Sequence, residues 1–281
     1  MEFTKMQGAG NDFIIINNMK LNIPVDELPL IAKRVCKRKV SLGADGFMVV
    51  DYPEGEADFK MRFYNSDGSI GEMCGNGARC ISRYAYMNNI AGKKMKFETG
   101  AGIVYSEVLE KRQIKVQLNN PEVIRLNNNI VIDGVIYECS YIELGKPGLP
   151  HAVVKYPNLK DAGEKEIFET GRKIRYYKGF EKGANVNFYE VINDSTALVR
   201  TYERGVEDLT LACGTGSASV AAVLMLKGYL NGNKATIIVT GGQLIIEAEK
   251  VSGNIEKLYL TGDTNIVAEG KILDEDLSET L

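Results

Sequence analysis

The sequence predicts an α+β fold of two pseudo-symmetric domains, each a mostly antiparallel β-sheet or barrel wrapped around a central helix. The first observation behind this prediction is a repeat: "CGNGARCISRYAYM", which begins at Cys74, recurs as "CGTGSASVAAVLML" at Cys213, 139 residues later. The second is a series of short β-branched runs of alternating polarity, separated by Gly, Asn and Lys turns. Consecutive strands with short connections are typical of antiparallel sheets, which favours the α+β class.

Three further pairs of segments recur in the same order at nearly the same offset. They are "GAGNDFIII" (8–16) with "GLPHAVV" (148–154), "LGADGFMVV" (42–50) with "KGANVNFYEV" (182–191), and "MRFYNSDG" (61–68) with "VRTYERGV" (199–206). Four blocks in one order indicate two copies of one unit. We therefore predict a first domain at residues 1–118, completed by the C-terminal segment 266–281, and a second domain at residues 119–265.

Each copy predicts the same order of elements. A strand follows a glycine turn, and a helix comes next, at residues 25–38 or 162–175. Two strands, the helix after the cysteine and further strands complete the copy, with strand signals in "GIVYSEVLE", "QIKVQL", "ALVRTY", "ATIIVT" and "QLIIEAE". The helix within "GSASVAAVLML" is apolar on nearly all sides, so we expect the strands of its own domain to surround it.

Composition narrows the class of ligand. The chain has 281 residues, a formal net charge of -3 and no basic run, which argues against a nucleic-acid or membrane partner and favours a small-molecule substrate. The N-terminus lacks the pattern of a signal peptide, so we expect a cytoplasmic protein. Five widely spaced cysteines without a CxxC pair do not form a disulfide framework, and a single histidine argues against a metal site.

Cys74 and Cys213 each precede a glycine turn that opens a predicted helix. The helix macrodipole and the unpaired N–H groups of a first turn favour a thiolate at this position, and they also bind carboxylates. If the two domains face each other across a cleft, the two thiols can lie on opposite faces of one α-carbon. This arrangement predicts an isomerase that racemises or epimerises an amino acid without a cofactor or a metal.

The segments "KMQGAGNDF", "YNSDGS", "CGNGARC", "GANVNF" and "YERGVEDLTLACGTG" resemble diaminopimelate epimerases, a family of amino-acid epimerases that do not use pyridoxal phosphate. The resemblance covers essentially the full chain. It implies conversion of LL-diaminopimelate to meso-diaminopimelate in lysine biosynthesis, an active site in the interdomain cleft, and a homodimer.

The resemblance also implies roles for individual residues. Cys74 and Cys213 match the acid and base thiols, and His151 and Glu203 match residues that assist them. Gly75, Asn76, Gly214 and Thr215 match the helix ends that hold the α-carboxylate. The other substrate-binding positions of the family fall on Asn11, Asn65, Asn185, Glu203 and Arg204.

One departure leaves the substrate open. Leu149 in "GKPGLPH" stands where the family has an asparagine that contacts the distal end of the substrate. A cofactor-independent racemase for another amino acid, such as a basic one, is therefore an alternative. A thiol redox protein in which Cys74 and Cys213 form a disulfide is a second alternative, and a binding module without catalysis is a third.

Overall fold

A computed structural model describes residues 1–71, 73–273 and 275 of the chain. The chain divides into two compact units. The first comprises Met1–Val116 and Gly262–Leu281, and the second comprises Gln117–Thr261. Part of the segment predicted to complete the first domain, residues 274 and 276–281, lies outside the described residues.

The first unit begins with strands and helices in an order that matches the prediction. Its elements are β1 (Glu2–Gly8), β2 (Asn11–Asn17), α1 (Asn18–Leu21), α2 (Leu28–Val35), β3 (Gly46–Asp51), β4 (Phe59–Asn65), β5 (Ile70–Gly71), α3 (Gly75–Met87), β6 (Lys94–Thr99), β7 (Gly102–Val108) and β8 (Gln113–Leu118).

The second unit repeats the main elements of this order, with an additional two-stranded hairpin and without a counterpart of α1. Its elements are β9 (Pro121–Arg125), β10 (Ile130–Ile132), β11 (Val135–Tyr137), β12 (Cys139–Leu144), β13 (Leu149–Lys155), α4 (Glu164–Arg175), β14 (Asn185–Asn193), β15 (Thr196–Glu203), β16 (Asp208–Thr210), α5 (Gly214–Leu226), β17 (Lys234–Val239), β18 (Gly242–Val251) and β19 (Asn254–Asp263). The chain then returns to the first unit as β20 (Asn265–Lys271), which pairs with β1.

Strand pairing is the same in both units. In the first, the strands follow the order β20-β1-β2-β3-β4-β6-β7-β8, and only the β2–β3 and β4–β6 pairs are parallel. In the second, the order is β9-β12-β13-β14-β15-β17-β18-β19, with β13–β14 and β15–β17 parallel. The predicted repeat and the mostly antiparallel α+β class are confirmed.

The two parallel pairs of each unit explain its two long helices. Parallel neighbours cannot be joined by a tight turn, so the chain must cross over, usually through a helix. Helices α2 and α4 make the first crossover of their units, and α3 and α5 make the second. The apolar residues of α2 recur at helical spacing (Leu28, Ile31, Ala32 and Val35), and all four pack into one buried cluster.

Helix α5 is the central helix of the second unit. Eleven of its thirteen residues are buried, and strands β12 to β15, β17 and β18 contact it. Helix α3 of the first unit contacts β1, β2, β3 and β7, and it also buries the polar side chains of Asn76, Arg79 and Ser82. None of the helices in the described residues is long and apolar enough to cross a membrane.

Gly171 permits the close approach of α4 to β15. Glycine in a helix interior costs about 1 kcal/mol relative to alanine, so its presence here needs a packing reason. A Cβ on Gly171 would lie 2.6 Å from Cβ of the buried Tyr202. The missing side chain therefore allows the backbone of α4 to contact the strand.

We expect Gly171→Ala to destabilise the protein by about 1–3 kcal/mol, although alanine is the better helix former, because the added methyl group overlaps Tyr202. Urea unfolding followed by circular dichroism measures the change. Glu169→Ala, at an exposed position on the same helix, is the matched control and should change stability by about 0.5 kcal/mol or less. Equal stability of Gly171→Ala and the control would contradict the packing argument.

Candidate active site

Cys74 is the N-cap residue of α3. Its backbone is extended (φ -130°, ψ 120°), and its carbonyl accepts the helical bond from the Ala78 amide at 2.7 Å. The thiol is partly exposed and donates to Oδ1 of Asn11 at 3.5 Å. The structure therefore joins two residues that the sequence analysis selected separately.

An ion-pair network orients the Asn11 amide. Nδ2 of Asn11 donates to Oδ2 of Asp45 at 2.7 Å, and Arg38 Nη2 donates to the other carboxylate oxygen at 2.9 Å. Since an ionised carboxylate only accepts hydrogen bonds, the Asn11 nitrogen must face Asp45, and its oxygen is left to face the thiol. Asp45 thereby determines which end of the amide meets Cys74.

The same network holds Asp12, the neighbour of Asn11. Arg38 donates to Asp12 at 2.6 Å, and Lys5 forms an ion pair with it at 3.0 Å. Burial alone would raise the pKa of Asp12, but the hydrogen bonds from Arg38 and Lys5 outweigh it and bring the pKa below its ordinary value. The charged carboxylate fixes the end of β2 next to Asn11.

The other predicted residues of the first unit lie at two places. Gly75 and Asn76 form the start of α3 directly after Cys74, where the first-turn N–H groups have no partners within the helix. Asn65 ends β4 and is exposed, and its side chain donates to Ser69 Oγ at 2.9 Å. Asn76 thus lies in the first turn after Cys74, whereas the side-chain hydrogen bond of Asn65 lies within its own turn.

Cys213 is the N-cap residue of α5, in a backbone conformation like that of Cys74 (φ -110°, ψ 112°). Its sulfur accepts from the Gly216 amide at 3.4 Å and lies 3.5 Å from Thr215 Oγ1. Gly214 and Thr215 form the start of the helix. Both predicted thiols therefore occupy the same position on the same element of their units.

His151, the single histidine of the chain, is fully buried in β13. Its Nδ1 lies 3.3 Å from Nδ2 of Asn187. That amide is fixed because Asn187 also donates to the Ala152 carbonyl at 3.1 Å and accepts from the Thr201 hydroxyl at 3.0 Å. Nδ1 therefore accepts, and the proton of the neutral ring is on Nε2, which has no hydrogen-bond partner in the described part of the chain.

Burial controls the charge of both residues that were predicted to assist the thiols. It lowers the pKa of His151 to about 3, with a smaller contribution from the positive charge of Arg204. It raises the pKa of Glu203, at the end of β15. His151 is therefore neutral at physiological pH and can act as a hydrogen-bond donor or acceptor but not as a cation.

Asn185 and Arg204 are connected through the backbone. Oδ1 of Asn185 accepts from the Arg204 amide at 2.9 Å, and Nδ2 donates to the Pro150 carbonyl at 3.1 Å. The guanidinium of Arg204 donates to the Lys182 carbonyl at 3.1 Å. Asn185 thus joins the turn after β15 to the start of β13, close to Leu149, which is half-buried and pairs with Leu144.

The comparisons with known proteins agree with this architecture. The family model described as diaminopimelate epimerase matches residues 3–124 and 145–267. A diaminopimelate epimerase of Aquifex aeolicus is 39% identical over 286 residues, with 99% of each chain covered. Another, of Archaeoglobus fulgidus, is 39% identical over 277 residues, with 95% of each chain covered. The chain belongs to the diaminopimelate epimerase family. It is accordingly an epimerase, an isomerase.

Solved structures of low sequence identity share the fold of this family member. A hydroxyproline epimerase from Agrobacterium vitis has a TM-score of 0.71 at 14% identity, covering 97% of this chain and 90% of that one. A phenazine biosynthesis protein of the PhzF family from Bacillus anthracis has a TM-score of 0.74 at 13% identity, covering 97% and 99%. At these identities the likeness shows the fold alone.

The sequence analysis missed Asp45 and Asn187, the residues that orient Asn11 and His151 in this epimerase. A signal for Asp45 was present: the repeat that aligns Gly43 with Gly183 also aligns Asp45 with Asn185, which was selected. Asn187 follows Asn185 by two residues, so it lies on the same face of β14. Gly216 accommodates it, because a Cβ at that position would lie 2.1 Å from Asn187 Oδ1.

We expect His151 to remain neutral, with its proton on Nε2, from pH 5.5 to 8.5. The folded-state pKa of about 3 lies below the ordinary value of 6.5, so the unfolded chain binds more protons between these values. Stability should fall as the pH drops below 6.5, by up to about 1.4 kcal/mol per pH unit from this group. NMR of the ¹⁵N-labelled imidazole observes His151 alone, since it is the single histidine. A titration midpoint near pH 6.5 would contradict the neutral state.

Proposed function

We propose that the protein converts LL-diaminopimelate to meso-diaminopimelate with Cys74 and Cys213 as base and acid on opposite faces of the α-carbon, without a cofactor. The observation that carries this proposal is the equivalence of the two thiols. Each is an extended N-cap residue that precedes a 13-residue helix, in units with the same strand order. A two-base reaction needs two such groups, and a helix start favours a thiolate.

In the proposed reaction, the thiolate of one cysteine removes the α-proton, and the electron pair of the broken C–H bond moves into the α-carboxylate. The thiol of the other cysteine then delivers a proton to the opposite face, so the number of protons is conserved. The N–H groups at Gly75, Asn76, Gly214 and Thr215 would stabilise the negative charge on the carboxylate. The proposal requires that one substrate reaches both thiols.

His151 and Glu203 are proposed to assist through hydrogen bonds. The neutral imidazole carries a proton on Nε2, which has no hydrogen-bond partner in the described residues. Because an unpaired buried donor is costly, this N–H group can bind a ligand or an anion. Burial favours the protonated form of Glu203, which can also donate. Asn11, Asn65, Asn185, Glu203 and Arg204 are proposed to recognise the rest of the substrate.

The cellular setting follows from the resemblance and the composition. We propose a cytoplasmic homodimer in lysine biosynthesis that acts on a small-molecule amino acid and has no nucleic-acid or membrane partner. A racemase for a monocarboxylic amino acid is the second candidate, and Leu149 favours it because an apolar side chain stands where the family has an amide.

We expect Cys74→Ser and Cys213→Ser each to lower epimerisation of LL-diaminopimelate by at least about 100-fold, because a hydroxyl is too weakly acidic to be a base near neutral pH. Incubation in deuterated water, with stereochemistry and α-deuteration followed together, measures both proton transfers. Cys36→Ser, which changes a buried thiol with a pKa raised to about 12 by burial and by Asp12 and Asp45, is the matched control.

Either cysteine variant with near-normal turnover and an unchanged circular dichroism spectrum would contradict the two-thiol mechanism. Activity that appears only on addition of pyridoxal phosphate or a metal ion would contradict cofactor independence. Activity with dithiol reductants and no α-deuteration would favour the redox protein instead.

We expect the wild-type protein to prefer diaminopimelate over lysine by at least about tenfold in kcat/KM. Arg204 can bind a distal carboxylate through two parallel N–H···O bonds, and lysine cannot reproduce this planar fork. Arg204→Lys should therefore narrow the preference by losing activity on diaminopimelate. Leu149→Asn, which restores the family residue, should leave the preference for diaminopimelate intact. Equal or better activity of the wild type on lysine, ornithine or histidine would overturn the substrate assignment but not the two-cysteine chemistry.

A further inference from the structure

Arg79 lies on α3, five residues after Cys74, and its side chain is fully buried. The guanidinium turns back towards the helix start, where Nη1 donates to the Gly75 carbonyl at 3.2 Å and Nη2 donates to Oδ1 of Asn76 at 3.0 Å. Both acceptors are uncharged, and both belong to the first turn that follows the thiol. The buried cation is thus attached to the end of the helix at which Cys74 lies.

The charge of Arg79 has no carboxylate partner within ion-pair distance in residues 1–71, 73–273 and 275, and its Nε has no hydrogen-bond partner there. An arginine keeps its charge in proteins, and an uncompensated buried charge is strongly destabilising. Burial lowers the pKa of Arg79 from its ordinary value, against the opposing effect of Cys80, Cys74 and Asp263. A fold that retains such a cation needs an anion nearby.

Two of these three neighbours are either neutral or already paired. Burial raises the pKa of the Cys80 thiol to about 12, so Cys80 is neutral at physiological pH. Asp263 is half-exposed and pairs with Arg112 at 3.2 Å. Of the three, Cys74 lies at the helix start to which Arg79 donates its hydrogen bonds.

The residues of β1, β2 and β3 that border Arg79 or Gly77 are uncharged. Gly8 of β1 borders the guanidinium, since a Cβ there would lie 3.3 Å from Nη2, and Phe13 of β2 and Met48 of β3 border Gly77 in the first turn. The charged groups of β1 and β2 in this region, Lys5 and Asp12, pair with each other at 3.0 Å. On β7, Ser106 bonds Ser82 of α3 at 2.8 Å.

We propose that Arg79 is a positioning residue. Its buried positive charge stabilises two anions at the first turn of α3, the Cys74 thiolate and a bound carboxylate. The neutral thiol already has an acceptor in Asn11, so both protonation states of Cys74 have a partner. This inference rests on the proposed function for its consequence in catalysis, but the effect on the thiol can be measured without substrate.

The second unit lacks this cation. The repeat that aligns Cys74 with Cys213 aligns Arg79 with Ala218, which is buried and apolar. The Gly216 amide and the Thr215 hydroxyl, which contact the Cys213 sulfur, are uncharged. The thiolate state of Cys74 should therefore depend on Arg79, whereas that of Cys213 should not.

The test is the pH dependence of iodoacetamide alkylation, read separately at Cys74 and Cys213 by peptide mass spectrometry on the full chain. In Arg79→Gln we expect the alkylation midpoint at Cys74 to rise by at least about one pH unit, which corresponds to a tenfold smaller thiolate fraction near neutral pH. The midpoint at Cys213 should stay within about 0.3 unit of the wild-type value. Arg79→Lys keeps a positive charge. Its Cys74 midpoint should therefore lie at least halfway back from the Arg79→Gln value to the wild-type value. Arg83→Gln, one turn further along α3, is the matched control and should shift Cys74 by less than about 0.3 unit.

An unchanged Cys74 midpoint in folded Arg79→Gln would overturn the proposal, and so would an equal shift in Arg83→Gln. If Arg79→Gln does not fold, Arg79→Met is the second variant, because an apolar side chain of similar length fills the space of Arg79 and buries no polar group of its own. Measuring α-deuteration of diaminopimelate by the wild type separates the test of the proposed function from the test of the role of Arg79. If the wild type shows none, the proposed function fails, while the alkylation result still decides the role of Arg79.

Discussion

The parallel pairing of the strands that flank α3 and α5 is the constraint on which the candidate site depends. Because β4 and β6 run in the same direction, the chain must leave the sheet after β4 and return through a crossover, and α3 is that crossover. The same holds for β15, α5 and β17. Ten of the thirteen residues of α3 and eleven of the thirteen of α5 are buried. The cysteine at each N-cap is thereby attached to a largely buried helix.

The surroundings of the two first turns differ in charge, although their backbones are alike. In the first unit, a carboxylate network orients Asn11 and a buried guanidinium lies behind the turn. In the second unit, His151 is neutral and Asn187 replaces the carboxylate as the group that orients it. These differences matter because thiol and thiolate differ by one charge, and a low-dielectric interior magnifies the effect of neighbouring charges.

Much of the fold could be predicted from the sequence because its signals are local. The helix predicted at residues 162–175 is found at Glu164–Arg175, and the one predicted at 25–38 is shortened to Leu28–Val35, with Pro29 in its first turn. The repeat predicted the two units because equal segments fold alike. The repeat marked the position of Asp45, but the contacts of Asp45, Asn187 and Arg79 could not be predicted in this way, because they are made between distant parts of the chain or depend on burial.

The differences between the two copies explain why a repeated unit can serve an asymmetric task. The repeat aligns Asn11 with His151, Asp45 with Asn185, and Arg79 with Ala218, so the copies diverge at the groups that surround each thiol while the glycines of the turn are kept. An epimerase of the proposed kind starts each turnover with one thiol and one thiolate, which two identical surroundings would not distinguish. The shared backbone and the divergent side chains therefore have separate consequences: the backbone sets where the sulfur atom lies within each unit, and the side chains set which polar and charged groups surround it.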